Sequence, residues 1–181
     1  MAKLTAAALA AHELGLAATF GGIVFGQTGL GKAVKVLPNE HDRSKVLEES
    51  WRTFAIPKAI GVITAGATWL IGRSLFSGRF MSRDIRRLVI AKDVALGVTV
   101  LTGIGAQVVG SQLSNEQPFP VKGEGQPSPQ TPDKAAALER TVNILGMVQL
   151  FAAGTALVLT SALNIRGHQN PAWNAVARFL P

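Results

Sequence analysis

Four long apolar runs dominate this chain and restrict what it can fold into. They cover about 4–30, 54–76, 88–110 and 142–165. Each is close to the roughly 20 residues that cross about 30 Å of hydrocarbon as a helix. In lipid the backbone must satisfy its own polar groups, so a spanning segment is a helix or a strand of a closed barrel. Tilted strands need only about 9–11 residues, so these runs predict helices. Apolar residues surround each predicted helix instead of forming one stripe, as suits a helix bathed in lipid. The expectation is an all-α, integral membrane four-helix bundle: one domain over 1–181, multi-pass in the cell membrane, with the lipid bilayer as its first partner.

Composition agrees. Only 16% of the residues are charged, against about 25% in a soluble domain. Cysteine is absent, which excludes disulfides, thiolate metal sites and thiol catalysis. The formal charge of +7 would suit a nucleic-acid partner in a soluble protein. Here the basic residues cluster between apolar runs, which fits the positive-inside rule and no nucleic acid. The first run, starting at Leu4, exceeds the roughly 7–15 residues of a signal-peptide core. It is expected to be retained as span one.

The connections differ in character. Between spans one and two, Pro38-Asn39 predicts a turn. Asp42 is placed to cap a short surface helix through Arg52, with Trp51 at headgroup level. Pro57 is expected in the first turns of span two, where a missing N–H costs little. The second connection is short and holds Arg73, Arg79, Arg83, Arg86 and Arg87. Its density of positive charge places both termini in the cytoplasm, and anionic lipid is its expected partner. The third connection, 111–140, contains Pro118, Pro120, Pro127, Pro129 and Pro132. It is expected to be a flexible extracytoplasmic loop with no core of its own, ending where a helix restarts near Pro132-Asp133.

Ionisable groups inside a span are costly and mark candidate sites. Span one carries His12 and Glu13, span two Lys58, and span three Lys92 and Asp93. The two carboxylates formally balance the two lysines. Spans one and three run in the same direction, and the depths of Glu13 and Lys92 differ by only about 7 Å at 1.5 Å per residue. Contact is therefore expected between Glu13 or His12 and Lys92 or Asp93 in the cytoplasmic half. Lys58 enters from the other face, to snorkel outward or to meet the polar end of another span. Such a cluster either fixes helix register or serves as a proton relay or counter-charge. Neutral polar residues trace further faces: Gln27, Thr99, Gln107, Asn143 and Gln149. With Gly22-x-x-x-Gly26 they predict either close helix packing or a polar-lined path.

No phosphate loop, dinucleotide motif, zinc-protease motif or nucleophile elbow is present. His41 and His168 fall outside the spans, so paired histidine ligation of a haem within the bundle is not available, and no metal or other cofactor is expected. These features point to a non-enzymatic membrane channel, transporter or lipophilic-ligand-binding protein. The competing expectation is a structural or accessory subunit of a larger membrane complex. The Gly/Ala-rich faces are compatible with a homo-oligomer.

His12, Leu16, Phe20 and Gly21 form His-x3-Leu-x3-aromatic-Gly in span one. This pattern resembles the first helix of the small four-helix membrane proteins related to animal cisplatin-resistance-associated transmembrane protein. The Phe54–Pro57 element before span two and the long polar connection before the last span are also similar. Span four differs, with Asn143-Ile144-Leu145-Gly146 where a His-Gly and Ser pattern would stand. The resemblance implies membrane localisation and a role in efflux or vesicle traffic, with no established reaction and no catalytic residue to carry over.

Overall fold

In the computed structural model, the chain is described over 2–75 and 83–169, with side chains over 7–71 and 83–165. Four long helices carry the fold: α1 (Ala2–Phe25), α2 (Glu40–Leu75), α3 (Arg83–Ser114) and α4 (Asp133–Gln169). All four are long and apolar enough to cross a membrane. A π-helical turn, Gly26–Leu30, extends α1 toward Val36 through short α and 3-10 turns. A two-stranded antiparallel hairpin, β1 (Val121–Gly123) and β2 (Gln126–Pro127), lies between α3 and α4.

α1 packs along α2, α4 along α3, and α1 against α4, while α2 meets α3 only sparsely. Small residues set the first pair. A β-carbon on Gly15 would lie 2.4 Å from the Gly61 carbonyl oxygen, so the two backbones touch there. About two and three turns toward the hairpin end, Gly22 and Gly26 take the rings of Phe54 and Trp51. These contacts run in opposite order along the two helices, so α1 and α2 are antiparallel.

Polarity is inverted relative to a water-soluble bundle. Leu14, Ile56, Leu101 and Phe151 point outward, each about 70% exposed. Thr19, Thr99, Gln149, Thr160 and Lys92 are buried inside. Each buried threonine returns its hydroxyl to the carbonyl four residues earlier. Water would reward the opposite arrangement; hydrocarbon rewards this one.

Three expectations are corrected by the structure. The connection between spans one and two holds no separate surface helix capped by Asp42. Asn39 accepts a hydrogen bond from the His41 N–H at 2.9 Å, and α2 then continues without a break, with Pro57 in its interior. Interior proline costs a helix about 3 kcal/mol. In the two turns before Pro57, Phe54 and Trp51 pack onto Gly22 of α1 and Gly26 of the π turn. Trp51 faces the bundle, its ring against Gly26 and its indole donating to Glu124. The 111–140 connection does possess a core: Phe119 and Val121 are buried with Val34, Leu47 and Ala135. Ser128 and Thr131 of the same connection are buried too, the Thr131 hydroxyl accepting from the Ser128 N–H at 2.8 Å. The helix restart at Asp133 stands as expected.

At 1.5 Å per residue, a helix the length of α2 exceeds 30 Å by roughly 20 Å. The excess of α2 and α4 stands beside the hairpin and forms a small head at one end of the bundle.

Candidate functional site

Two polar groupings occupy opposite ends of the bundle. The first lies at the end where α2 stops and α3 begins. His12 Nδ1 is 2.7 Å from the Ala65 carbonyl oxygen. A carbonyl only accepts, so Nδ1 carries the hydrogen. The Trp69 indole donates to Asp93 Oδ1 at 2.7 Å, and Lys92 Nζ stands 3.9 Å from the centroid of the same ring. Lys92 feels the charges of Glu13 and Asp93, and His12 feels Lys92. Glu13 also accepts from Asn164 of α4 at 2.8 Å. The structure therefore brings His12, Glu13, Lys92 and Asp93 to one level, with Trp69 as the bridge. Trp69 escaped the sequence reading because an aromatic residue inside a span looks like a lipid-facing one.

Among the anionic-lipid candidates, Arg83, Arg86 and Arg87 are exposed at this same end. The side chains of Arg73 and Arg79 lie outside the described residues.

The second grouping surrounds a cavity of about 420 Å³ between the head and the bundle. Ile23 of α1, Gln27 of the π turn, Trp51 and Lys58 of α2, Ala106 and Gln107 of α3, and Val142 and Gln149 of α4 contribute to its walls. The hairpin turn, Glu124-Gly125, closes one side. Gly125 has φ +63°, and a β-carbon there would collide with the Asn143 side chain, so glycine is needed at the turn. Asn143 in turn accepts from Gln27 Nε2 at 3.0 Å; the π turn that ends α1 begins one residue before Gln27.

The electrostatics here are acidic. Glu124 accepts from the Trp51 indole at 2.9 Å. Burial pushes its carboxyl above the usual carboxylate range, against the pull of that hydrogen bond. Glu139 of α4, 7% exposed, is within electrostatic reach of Glu124 and near the Gln126 backbone. Its Oε2 has no hydrogen-bond partner among the described residues, and neither has Gln149 Oε1. Gln149 Nε2 donates to the Thr99 carbonyl at 3.1 Å, with the amide lying across Gly103.

Of the sequence candidates, Gln27, Lys58, Gln107 and Gln149 line this cavity, Asn143 braces its closing turn, and Thr99 anchors Gln149. Glu124 and Glu139 were missed. Only Glu124 carried a signal, in Gly123-Glu124-Gly125, a turn between residues of strand character. No group of three or more His, Cys, Asp or Glu residues able to hold a metal occurs among the described residues.

Comparison with known proteins gives no matching family model, no matching curated protein and no matching solved structure. The site itself carries the functional reading.

Proposed function

We propose that this protein is a four-span integral membrane protein, with both termini in the cytoplasm, that binds a small amphiphilic ligand in the cavity beneath its hairpin. The observation that carries this is the pair of buried acceptors in the cavity wall, Glu139 Oε2 and Gln149 Oε1. An unsatisfied buried acceptor costs about 1–3 kcal/mol. Mostly apolar walls with a few convergent polar groups are the usual character of a ligand site.

A binding protein is favoured over an open channel by what lies beyond the cavity. Leu16, Ala65, Ala95, Leu96 and Ala156 fill the bundle core. The Trp69–Lys92 grouping follows at the far end. The inverted polarity of the helices supports lipid as the surrounding medium.

Cavity filling tests the function. A β-carbon on Gly146 would meet only Gln27 Nε2, at 3.8 Å, so Gly146→Phe projects its ring into the cavity. Purified wild-type protein should melt higher in the presence of total polar lipid extract, by about 2.7 kcal/mol at a hundredfold excess over Kd. Gly146→Phe should lose most of that gain. An equal gain in both proteins would mean that lipid acts on the outer surface, and the cavity would have no binding role.

A further inference from the structure

We propose that the occupant of this cavity carries a primary ammonium at its outer end and an anionic group deeper in, the headgroup chemistry of an aminophospholipid. This rests on the ligand-binding function above and names its ligand.

The outer end has fewer donors than its two carboxyls can take: the Gln126 backbone N–H and the charge of Arg140 act on Glu139, and one oxygen stays unpartnered. Glu124 of the hairpin turn and Glu139 of α4 both line the cavity and lie within electrostatic reach of each other. Glu124 has the Trp51 indole, but Glu139 Oε2 has nothing among the described residues. Burial holds both carboxyls above the usual carboxylate range, and a cation between them would favour their ionised form. The described residues offer no set of three metal-ligating side chains here. A primary ammonium fits instead, because it brings three N–H donors and a positive charge. The Trp51 ring beside Glu124 adds an aromatic face suited to a cation.

The deeper end offers a cation. Arg52 is engaged with Glu49 at 2.6 Å. Lys58 also lines the cavity and has no hydrogen-bond or ion-pair partner among the described residues. It follows Trp51 by about 10 Å along the helix, toward the bilayer centre. Ammonium outside and anion inside is the order of groups in a lipid of the extracytoplasmic leaflet. The sparsely packed seam between α2 and α3 gives acyl chains a lateral exit from apolar walls that include Leu47, Ala55 and Ala106.

The discriminating comparison is phosphatidylethanolamine against phosphatidylcholine. Both carry a positive charge, but the methylated ammonium of choline has no N–H to give Glu139. Full-length protein would be equilibrated in mixed micelles with equal amounts of these two lipids and phosphatidylglycerol. Co-purifying lipid would then be quantified by mass spectrometry. Phosphatidylethanolamine should be enriched about tenfold over phosphatidylcholine, the effect of one charge-assisted hydrogen bond. Glu139→Gln should abolish the enrichment, and Lys58→Met should lower total retention. Equal retention of the two lipids, or enrichment that survives Glu139→Gln, overturns the proposal. Should Glu139→Gln fail to fold, the wild-type ratio alone decides. Selective retention of phosphatidylglycerol refutes the ammonium while leaving ligand binding intact. Retention no greater than in Gly146→Phe refutes both. Protection from melting by soluble phosphoethanolamine equal to that by the lipid keeps the ammonium–anion chemistry and assigns it to a soluble source.

Discussion

Lys92 Nζ sits 3.9 Å from the centre of the Trp69 ring, whose indole nitrogen donates to Asp93 Oδ1 at 2.7 Å. One aromatic residue of α2 thereby engages two adjacent charged residues of α3. Elsewhere among the described residues those helices meet sparsely, and this contact joins them at the arginine-rich end.

Lys92→Met keeps an apolar stem of similar length and removes the charge. Lys92 is 2% exposed, and breaking a buried ionic grouping by removing one member costs about 3–5 kcal/mol. Unfolding in mixed micelles should show a loss of that order. A double-mutant cycle with Trp69→Phe should give a coupling of about 1–2 kcal/mol. Additive losses would mean that the ring and the ammonium do not interact.

The Gly15–Gly61 contact predicts sensitivity to a single methyl group. Gly15→Ala would press a β-carbon against the Gly61 backbone, and overpacking of this kind costs about 1–3 kcal/mol. Gly66, whose β-carbon would meet nothing within 4 Å, is the control on the same helix pair. Gly66→Ala should be neutral or slightly stabilising, since alanine favours the helix by about 1 kcal/mol. Equal melting of the two variants would contradict the backbone contact.

Much of this architecture is legible in the residues. The four apolar runs mark the helices because hydrocarbon demands continuous apolar length. The shared level of His12, Glu13, Lys92 and Asp93 follows from helix rise and direction. The cavity is not legible in this way. Glu139 stands beside Arg140 in a polar stretch and looks like a solvated surface carboxylate. Only the hairpin, folding back against α4, buries it. The hairpin depends on Phe119 and Val121 meeting Val34 and Leu47, apolar residues far apart in the chain with no periodicity to join them. The continuity of α2 through Pro57 was hidden for a related reason, since tertiary packing overrode a local breaker.

Phe119 tests that second core. Phe119→Ala should cost about 3–5 kcal/mol locally and expose the 115–132 segment to protease while the helical bundle stays folded. Unchanged cleavage would show that the hairpin does not rely on this core.

Glu124 gives the head a pH dependence of definite sign. Its carboxyl is held above the ordinary carboxylate range, chiefly by burial. The folded head therefore binds a proton more tightly than the unfolded chain does. The stability this contributes is fully present below the ordinary carboxylate range and is lost as pH rises through the folded value. Glu124→Gln retains an oxygen for the Trp51 indole and removes the titration. In ligand-free protein it should melt higher than wild type at neutral pH, with the difference vanishing in acid. Parallel melting curves across that pH range would contradict the burial of Glu124.

The chain has no cysteine, so single cysteines can report which side of a bilayer each end occupies. Lys122 on the hairpin and Arg86 near the start of α3 are both exposed, at opposite ends of the bundle. In intact cells a membrane-impermeant maleimide should label Lys122→Cys, and it should reach Arg86→Cys only after the membrane is permeabilised. Labelling of both in intact cells, or recovery of the chain in the soluble fraction, would contradict a four-span protein with its cavity on the extracytoplasmic side.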